Sequence, residues 1–248
     1  MTRYLLLALS LLASTVALAA SKEDKLYLYT ESFPPYNMST TGKVFEHHAD
    51  GISGLCTDML KAILAEAKVP YSMKLRNWDY SYDKALKKKN HGVFCTTYTE
   101  DRAPLFKWIG PLAENEWTVF APPGSTLRLS KLEDAKGMTI GGYKGDVMTE
   151  YLLKRGYTVS QLDSDDLNPK RLVLGQIDLW IADRLAGPYF AAQQDIEDLV
   201  PVFSFNKTEL FLALNPQTDD ALVQKLKAAY DRIRKNGMFD SIRTKYGL

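Results

Sequence analysis

The chain has 248 residues, of which 46% are hydrophobic, and this size fits one large domain or two modest ones. Its 31 basic and 30 acidic residues nearly cancel and form no basic stripe, so we expect neither nucleic acid nor an anionic lipid surface as a partner. The sequence contains no P-loop, G-x-G-x-x-G, G-x-S-x-G or H-E-x-x-H motif. We therefore expect no cofactor, no metal and no catalytic residue of the classes that these motifs mark.

The N-terminus has the pattern of a secretory signal peptide. Arg3 precedes an apolar run over residues 5–12, and an A-x-A cleavage site follows at residues 17–19. We predict that residues 1–19 are a cleaved signal peptide; an uncleaved membrane anchor is the alternative, although the run is short for a membrane span. Because no cysteine lies at the cleavage site for lipid attachment, we expect the mature protein to be free in the periplasm.

The hydrophobic pattern of the remaining chain alternates between strands and helices. In the first half we predict strands over residues 25–30, 71–76, 92–96 and 117–121, and helices from about Leu55 and over residues 80–89. In the second half we predict strands over 138–140, 158–162 and 177–181, and helices over 147–155, 168–173, 187–194, around the apolar stripe 222–233, and over 238–246. This alternation indicates a mostly parallel sheet, and two such runs that separate near Trp117 indicate two α/β lobes.

Ligands of open α/β sheets bind beyond the carboxyl ends of the strands, so the residues that follow each strand are candidates. Arg102 lies shortly after a strand and offers a planar fork that can grip a carboxylate through two hydrogen bonds; a plain surface arginine is the alternative. The Thr97 hydroxyl could add a further bond. Asp183 could receive an ammonium group or cap the following helix.

Asp146 and Val147 stand where a helix is predicted to begin. The N–H groups of such an end can bind an anion, but Asp146 could equally cap the helix with its side chain turned away from the cleft. Phe33, Tyr36 and Trp78 lie in or beside loops at strand ends, where aromatic walls of a ligand pocket are expected.

The two cysteines, Cys56 and Cys95, are compatible with one disulfide or with two buried thiols. Cys56 falls at the start of the first predicted helix and Cys95 at the end of a strand. Both could therefore sit near the same sheet edge.

Several motifs along the chain together resemble the family-three extracellular solute-binding proteins, which are periplasmic binding proteins of polar amino-acid importers. These motifs are F-P-P-Y (33–36), G-L-C-T-D-M-L-K-A-I (54–63), T-Y-T-E-D-R (97–102), D-L-W-I-A-D (178–183) and the C-terminal K-N-G-M-F-D-S-I-R-T-K-Y-G (235–247). Each is weak alone, but their order and spacing are specific.

The resemblance implies a two-lobed periplasmic-binding-protein fold of type II, with two crossing strands and the ligand cleft between the lobes. We predict lobe I over residues 20–116 and 208–248, and lobe II over residues 117–207. The resemblance also implies that Arg102 and Thr97 bind the carboxylate of the ligand and that Asp183 binds its α-ammonium group. The predicted ligand-binding set is Phe33, Trp78, Cys95, Thr97, Arg102, Tyr143, Asp146, Val147 and Asp183.

The chain departs from many relatives at Thr30, Cys95 and Asp146, and at residues 107–112. Asp146 replaces a hydroxyl, and an ionised carboxylate can only accept hydrogen bonds and would repel a ligand carboxylate. We therefore expect a ligand more positively charged than a neutral amino acid, or one displaced from the usual pose.

Taken together, these features predict a monomeric protein that binds a small amino-acid-like molecule, performs no reaction, and serves an inner-membrane permease or a sensor. An enzyme on the same scaffold is the rival, with Glu114 and Glu116 as its candidate acid or base.

Overall fold

The computed structural model describes residues 25–248, so the predicted signal peptide lies outside the described residues. The strands are β1 (Leu26–Thr30), β2 (Met38–Ser39), β3 (Ile52–Ser53), β4 (Tyr71–Leu75), β5 (His91–Thr97), β6 (Lys107–Ala121), β7 (Thr139–Tyr143), β8 (Thr158–Leu162), β9 (Leu179–Asp183) and β10 (Val200–Leu214). The α-helices are α1 (Leu55–Ala67), α2 (Trp78–Lys87), α3 (Val147–Lys154), α4 (Asn168–Val173), α5 (Ala186–Ala192), α6 (Asp220–Lys235) and α7 (Met238–Lys245). Within residues 25–248, none of these helices is both long and apolar enough to cross a bilayer.

Eight strands form one sheet in the order β4-β1-β5-β10-β6-β9-β7-β8. The strands β4, β1 and β5 are parallel to one another, as are β9, β7 and β8. Between the two groups, β6 and β10 pair antiparallel over nearly their whole length. We call the part of the molecule around β4, β1 and β5 lobe I, and the part around β9, β7 and β8 lobe II. The predicted α/β class with two groups of parallel strands is confirmed.

The two long strands connect the lobes. At one end of β10, residues up to Leu214 pair with β5, and at one end of β6, residues 117–120 pair with β9. The predicted lobe boundaries at 116/117 and 207/208 fall inside these strands, and their placement stays a prediction.

Lobe I is held together by helix packing against the sheet. Asp219 caps α6 by accepting hydrogen bonds from the N–H groups of Ala221 and Leu222, and this helix packs against α1 through its apolar stripe. The side chains that bury this contact include Leu60, Ile63, Leu226 and Ile233, each at most 1% exposed. Burial of each such side chain contributes about 1.5–3 kcal/mol to folding.

A disulfide joins Cys56 in α1 to Cys95 in β5, with Cα atoms 5.8 Å apart. The alternative of two buried thiols is therefore wrong. This bond ties the first helix to the strand whose carboxyl end carries Thr97, so it connects the lobe I core to the cleft.

Candidate functional site

A small cavity lies between the lobes, at the carboxyl ends of β1, β5 and β7. Its lining includes eight of the nine predicted site residues, namely Phe33, Trp78, Cys95, Thr97, Arg102, Tyr143, Asp146 and Val147, together with Glu31, Asn115, Met148 and Leu210. The cavity measures about 20 Å³, which is room for about one water molecule. A ligand of amino-acid size therefore enters only if the lobes separate, and the role of these residues in binding stays a prediction.

Arg102 is held by its own turn and by two aromatic rings. Its N–H donates to the carbonyl and the hydroxyl of Thr99 at 3.1 and 3.2 Å. The guanidinium lies over the rings of Trp78 and Tyr82, 5.3 Å from each ring centroid. Aromatic faces favour a cation. The guanidinium also donates to the carbonyls of Thr97 at 3.5 Å and Gly145 at 3.2 Å, so a ligand carboxylate would have to share or replace these acceptors to use the fork.

The wall of the cavity on the lobe I side includes Thr97, Cys95 and Phe33. Thr97 is the last residue of β5, and its side chain is buried. Cys95 carries the disulfide and adopts a φ of 61° at the point where the pairing of β5 with β10 shifts register. Phe33 stacks on Tyr36 with ring centroids 4.8 Å apart. Phe33 lines this cavity and Tyr36 the second one described below, and their role as an aromatic wall for a ligand stays a prediction.

Asp146 both caps α3 and lines the cavity. Its Oδ2 accepts a hydrogen bond from the N–H of Thr149 at 2.9 Å, and the residue is only 6% exposed. The sequence left open whether Asp146 caps the helix or faces the cleft. In the structure it does both. Burial raises the pKa of Asp146 from its ordinary value of 3.8 to about 6, against the opposing effects of the Thr149 N–H and the nearby Arg102 cation.

Two further carboxyl groups lie near Asp146, and the sequence reasoning missed both. Glu31 directly follows β1 and accepts a hydrogen bond at 3.0 Å from the Tyr143 hydroxyl across the cleft. Burial, and then the charge of Asp146, raise its pKa well above the ordinary range. Asp165 accepts bonds from Asn168 Nδ2 at 2.7 Å and Trp180 Nε1 at 2.8 Å, and burial raises its pKa to about 7.

The structure does not place Asp183 in the Arg102 cavity. Asp183 is the last residue of β9 rather than a residue beyond the strand, because the chain continues to pair with β6 up to this position. Its carboxylate accepts three backbone N–H groups, from Glu116 at 3.0 Å and from Leu185 and Ala186 at 2.9 Å. These bonds fit the alternative in which Asp183 caps the turn before α5, and its ammonium role stays a prediction.

Asp183 instead lines a second cavity of about 180 Å³ with Tyr36, Glu114, Glu116 and other residues of the lobe junction. Asn115 lines both cavities and therefore lies between Asp183 and Arg102. The nearest cation to Glu116 is Arg184, with Nε 3.7 Å from Oε2. Within residues 25–248, no group of three or more residues is arranged to hold a metal ion.

Comparison with known proteins places this geometry in context. The sequence model of the bacterial extracellular solute-binding proteins, family 3, matches residues 27–248. A probable histidine-binding protein of Neisseria gonorrhoeae is 24% identical over 204 residues, which cover 79% of this chain and 75% of that protein.

Solved structures show the same fold. A histidine kinase sensor domain similar to periplasmic binding proteins superposes with a TM-score of 0.79 at 20% identity, covering 89% of this chain and 95% of the domain. The arginine-, lysine-, histidine-binding protein ArtJ of Geobacillus stearothermophilus superposes with a TM-score of 0.76 at 20% identity, covering 89% of this chain and 94% of that one. The predicted two-lobed fold is confirmed.

Proposed function

The chain belongs to the bacterial extracellular solute-binding proteins, family 3, as its motifs predicted, and we propose that it captures a cationic amino acid between its lobes in the periplasm. The single observation that supports this most is the cavity that brings Arg102 and Thr97 of lobe I together with Tyr143 and Asp146 of lobe II. Arg102 would receive the ligand carboxylate, and closure of the lobes would stabilise the bound form through contacts made only when they meet.

The charge balance of the cleft supports a cationic ligand. Glu31, Asp146 and Asp165 are acids whose pKa values are raised by burial, and none of them forms an ion pair within residues 25–248. Buried acids without a cationic partner tend to take up protons rather than stay charged, and a positive group on the ligand would favour their ionised forms and bind to them. The relatives that bind histidine, arginine or lysine agree with this choice.

Delivery to an inner-membrane importer is the role we propose for the monomeric, closed protein. The likeness to a kinase sensor domain supports a second role, as the ligand-sensing partner of a membrane receptor. Deletion of the gene separates these roles. If the protein serves an importer, the deletion strain should lose uptake of the labelled ligand. If it serves a sensor, uptake should persist and only the response to the ligand should disappear.

We propose no reaction for this protein. Glu114 is exposed and Glu116 faces Arg184, so neither is placed at the Arg102 cavity as an acid or base would have to be. A ligand that is recovered unchanged after long incubation supports this proposal, and any turnover of the ligand contradicts it.

The ligand charge can be tested with Asp146→Asn. This variant keeps an N-cap acceptor but removes the charge, so we expect the affinity for arginine or lysine to fall about tenfold or more while that for neutral amino acids changes little. Titration calorimetry with cationic, neutral and acidic amino acids measures the ranking. A wild type that prefers glutamate or aspartate, or an unchanged ranking in the variant, would show that the charge argument is wrong.

The same carboxyl group predicts how the stability of the unliganded protein depends on pH. Because the pKa of Asp146 is about 6 in the folded protein and near 3.8 in the unfolded chain, the folded protein binds more protons between these values. The contribution of Asp146 to the free energy of unfolding therefore falls as the pH rises from about 4 to about 6. At the same time, affinity for a cation rises over the upper part of this window, as Asp146 ionises.

Asp146→Asn should remove this pH dependence. We expect the unliganded variant to be more stable than the wild type by about 2–3 kcal/mol at pH 7, and equally stable near pH 4. Urea unfolding at the two pH values, without added ligand, measures the difference. Equal stability of the two proteins at pH 7 would contradict the prediction.

A further inference from the structure

One backbone carbonyl of lobe II accepts hydrogen bonds from two side chains of lobe I. The oxygen of Gly145, in the turn between β7 and α3, accepts from Trp78 Nε1 at 2.8 Å and from Arg102 Nη2 at 3.2 Å. Trp78 is the first residue of α2, and its side chain is only 6% exposed. The two lobes are therefore joined beside the candidate carboxylate site.

The close approach at this point depends on a glycine. Gly145 has a φ of +71°, and a Cβ there would lie 2.6 Å from Asp79 Oδ1 and 3.0 Å from Trp78 Cδ1. Both the backbone conformation and the space exclude a larger side chain while the lobes are in contact. The turn is thus shaped to meet the start of α2.

We propose that Trp78 is a positioning residue whose indole N–H clamps lobe II onto lobe I through the Gly145 carbonyl. The Trp78 ring also packs against the guanidinium of Arg102, so the clamp and the candidate carboxylate site share one side chain. A ligand that orders Arg102 would thereby favour the clamp. This inference rests on the proposed function only in assuming that the lobes close around a ligand.

The clamp affects the lifetime of the closed form rather than the first encounter with the ligand, because its two partners meet only after closure. Trp78→Phe keeps an aromatic ring beside Arg102 but removes the N–H. With L-arginine as the probe, we expect its dissociation rate to rise about three- to tenfold and its association rate to stay within about twofold. Stopped-flow fluorescence or surface plasmon resonance separates the two rates.

Trp108→Phe is a matched control. Trp108 Nε1 also donates to a backbone carbonyl, that of Ala103 at 3.1 Å, but both residues belong to lobe I. Its loss should leave the dissociation rate unchanged. Gly145→Ala should impair closure more severely than Trp78→Phe, since it obstructs the contact itself.

A readout that needs no ligand keeps this inference separate from the ligand assignment. Exposed Lys227 on α6 and Lys170 on α4 can be replaced by cysteine and labelled for single-molecule energy transfer, since both native cysteines are in the disulfide. Without ligand, Trp78→Phe should shift the distance distribution towards longer separations, and Trp108→Phe should not.

The dissociation rate of L-arginine and the ligand-free distance distribution together distinguish a wrong ligand from a wrong clamp. If L-arginine does not bind the wild type but Trp78→Phe still opens the lobes, the proposed ligand is wrong and the clamp stands. If Trp78→Phe matches the wild type in the distance distribution, and also in the dissociation rate where L-arginine binds, Trp78 does not act as a clamp.

Discussion

Replacement of Arg102 with alanine is expected to weaken ligand binding by about 2–5 kcal/mol, which raises Kd by roughly thirtyfold to several thousandfold. The reason is that the closed cavity separates the ligand carboxylate from water, so removal of the guanidinium leaves that carboxylate buried without a counter-charge. The rings of Trp78 and Tyr82 would then face an uncompensated anion.

Arg102→Lys tests the fork geometry separately from the charge. An ammonium cannot form two parallel hydrogen bonds to one carboxylate and lacks the planar surface that a guanidinium presents to aromatic rings, so we expect weaker binding here as well, although less so than for alanine. Arg232→Ala serves as a control, because the Arg232 guanidinium pairs with Glu66 on α1, with Nε 2.6 Å from Oε1, and does not line the Arg102 cavity. Calorimetry that shows unchanged affinity for both Arg102 variants would refute the assignment.

Removal of the disulfide is expected to lower the free energy of unfolding by about 3–4 kcal/mol. The bond closes a loop with a sequence separation of 39 residues, and such a constraint reduces the entropy of the unfolded chain. The double variant Cys56→Ala and Cys95→Ala, compared with the oxidised wild type in urea unfolding, measures the effect. Because Cys95 also lines the cavity, weaker ligand binding should accompany the loss of stability.

The reduced wild type provides the control for this experiment. It keeps both side chains, so reduction should produce nearly the same loss of stability as the double variant, without the small cavity that alanine leaves. Two free thiols per chain in the denatured, unreduced protein would show that the disulfide does not form, and a loss below about 1 kcal/mol would contradict the loop argument.

The sequence was sufficient to predict the alternation of strands and helices and much of the site. The predicted segments 158–162 and 168–173 coincide with β8 and α4. The rule that ligands bind beyond the carboxyl ends of strands pointed to Thr97, Arg102 and Asp146, which line one cavity in the structure, and their role in binding stays a prediction. The same rule covers Glu31, which directly follows β1 and was overlooked.

The long connecting strands could not be predicted from periodicity. Only residues 117–121 of β6 were recognised, and β10 was not recognised at all from its pattern. The pairing of β6 and β10 shifts register at three places, and such bulges interrupt the alternation of buried and exposed side chains. Gly110 and Pro111 in β6 further resemble a turn.

The hydrogen-bond partners of the Asp183 carboxylate could not be predicted from the sequence for a different reason. A carboxylate at the end of a strand can face a ligand or satisfy nearby N–H groups, and both uses need the same residue type. The choice depends on the turn at 184–186 and on the Glu116 N–H from a distant part of the chain. Only the folded arrangement shows that three backbone groups already bind this side chain.

Native mass spectrometry of the protein purified from its own cells tests the proposed capture of a cationic amino acid most directly. We expect one small molecule per chain, with the mass of a cationic amino acid, which leaves when the protein is unfolded and rebinds unchanged on refolding. A protein that carries no ligand and gains none from an equimolar mixture of the twenty amino acids would contradict the account. So would one that retains glutamate or aspartate in preference to arginine, lysine and histidine.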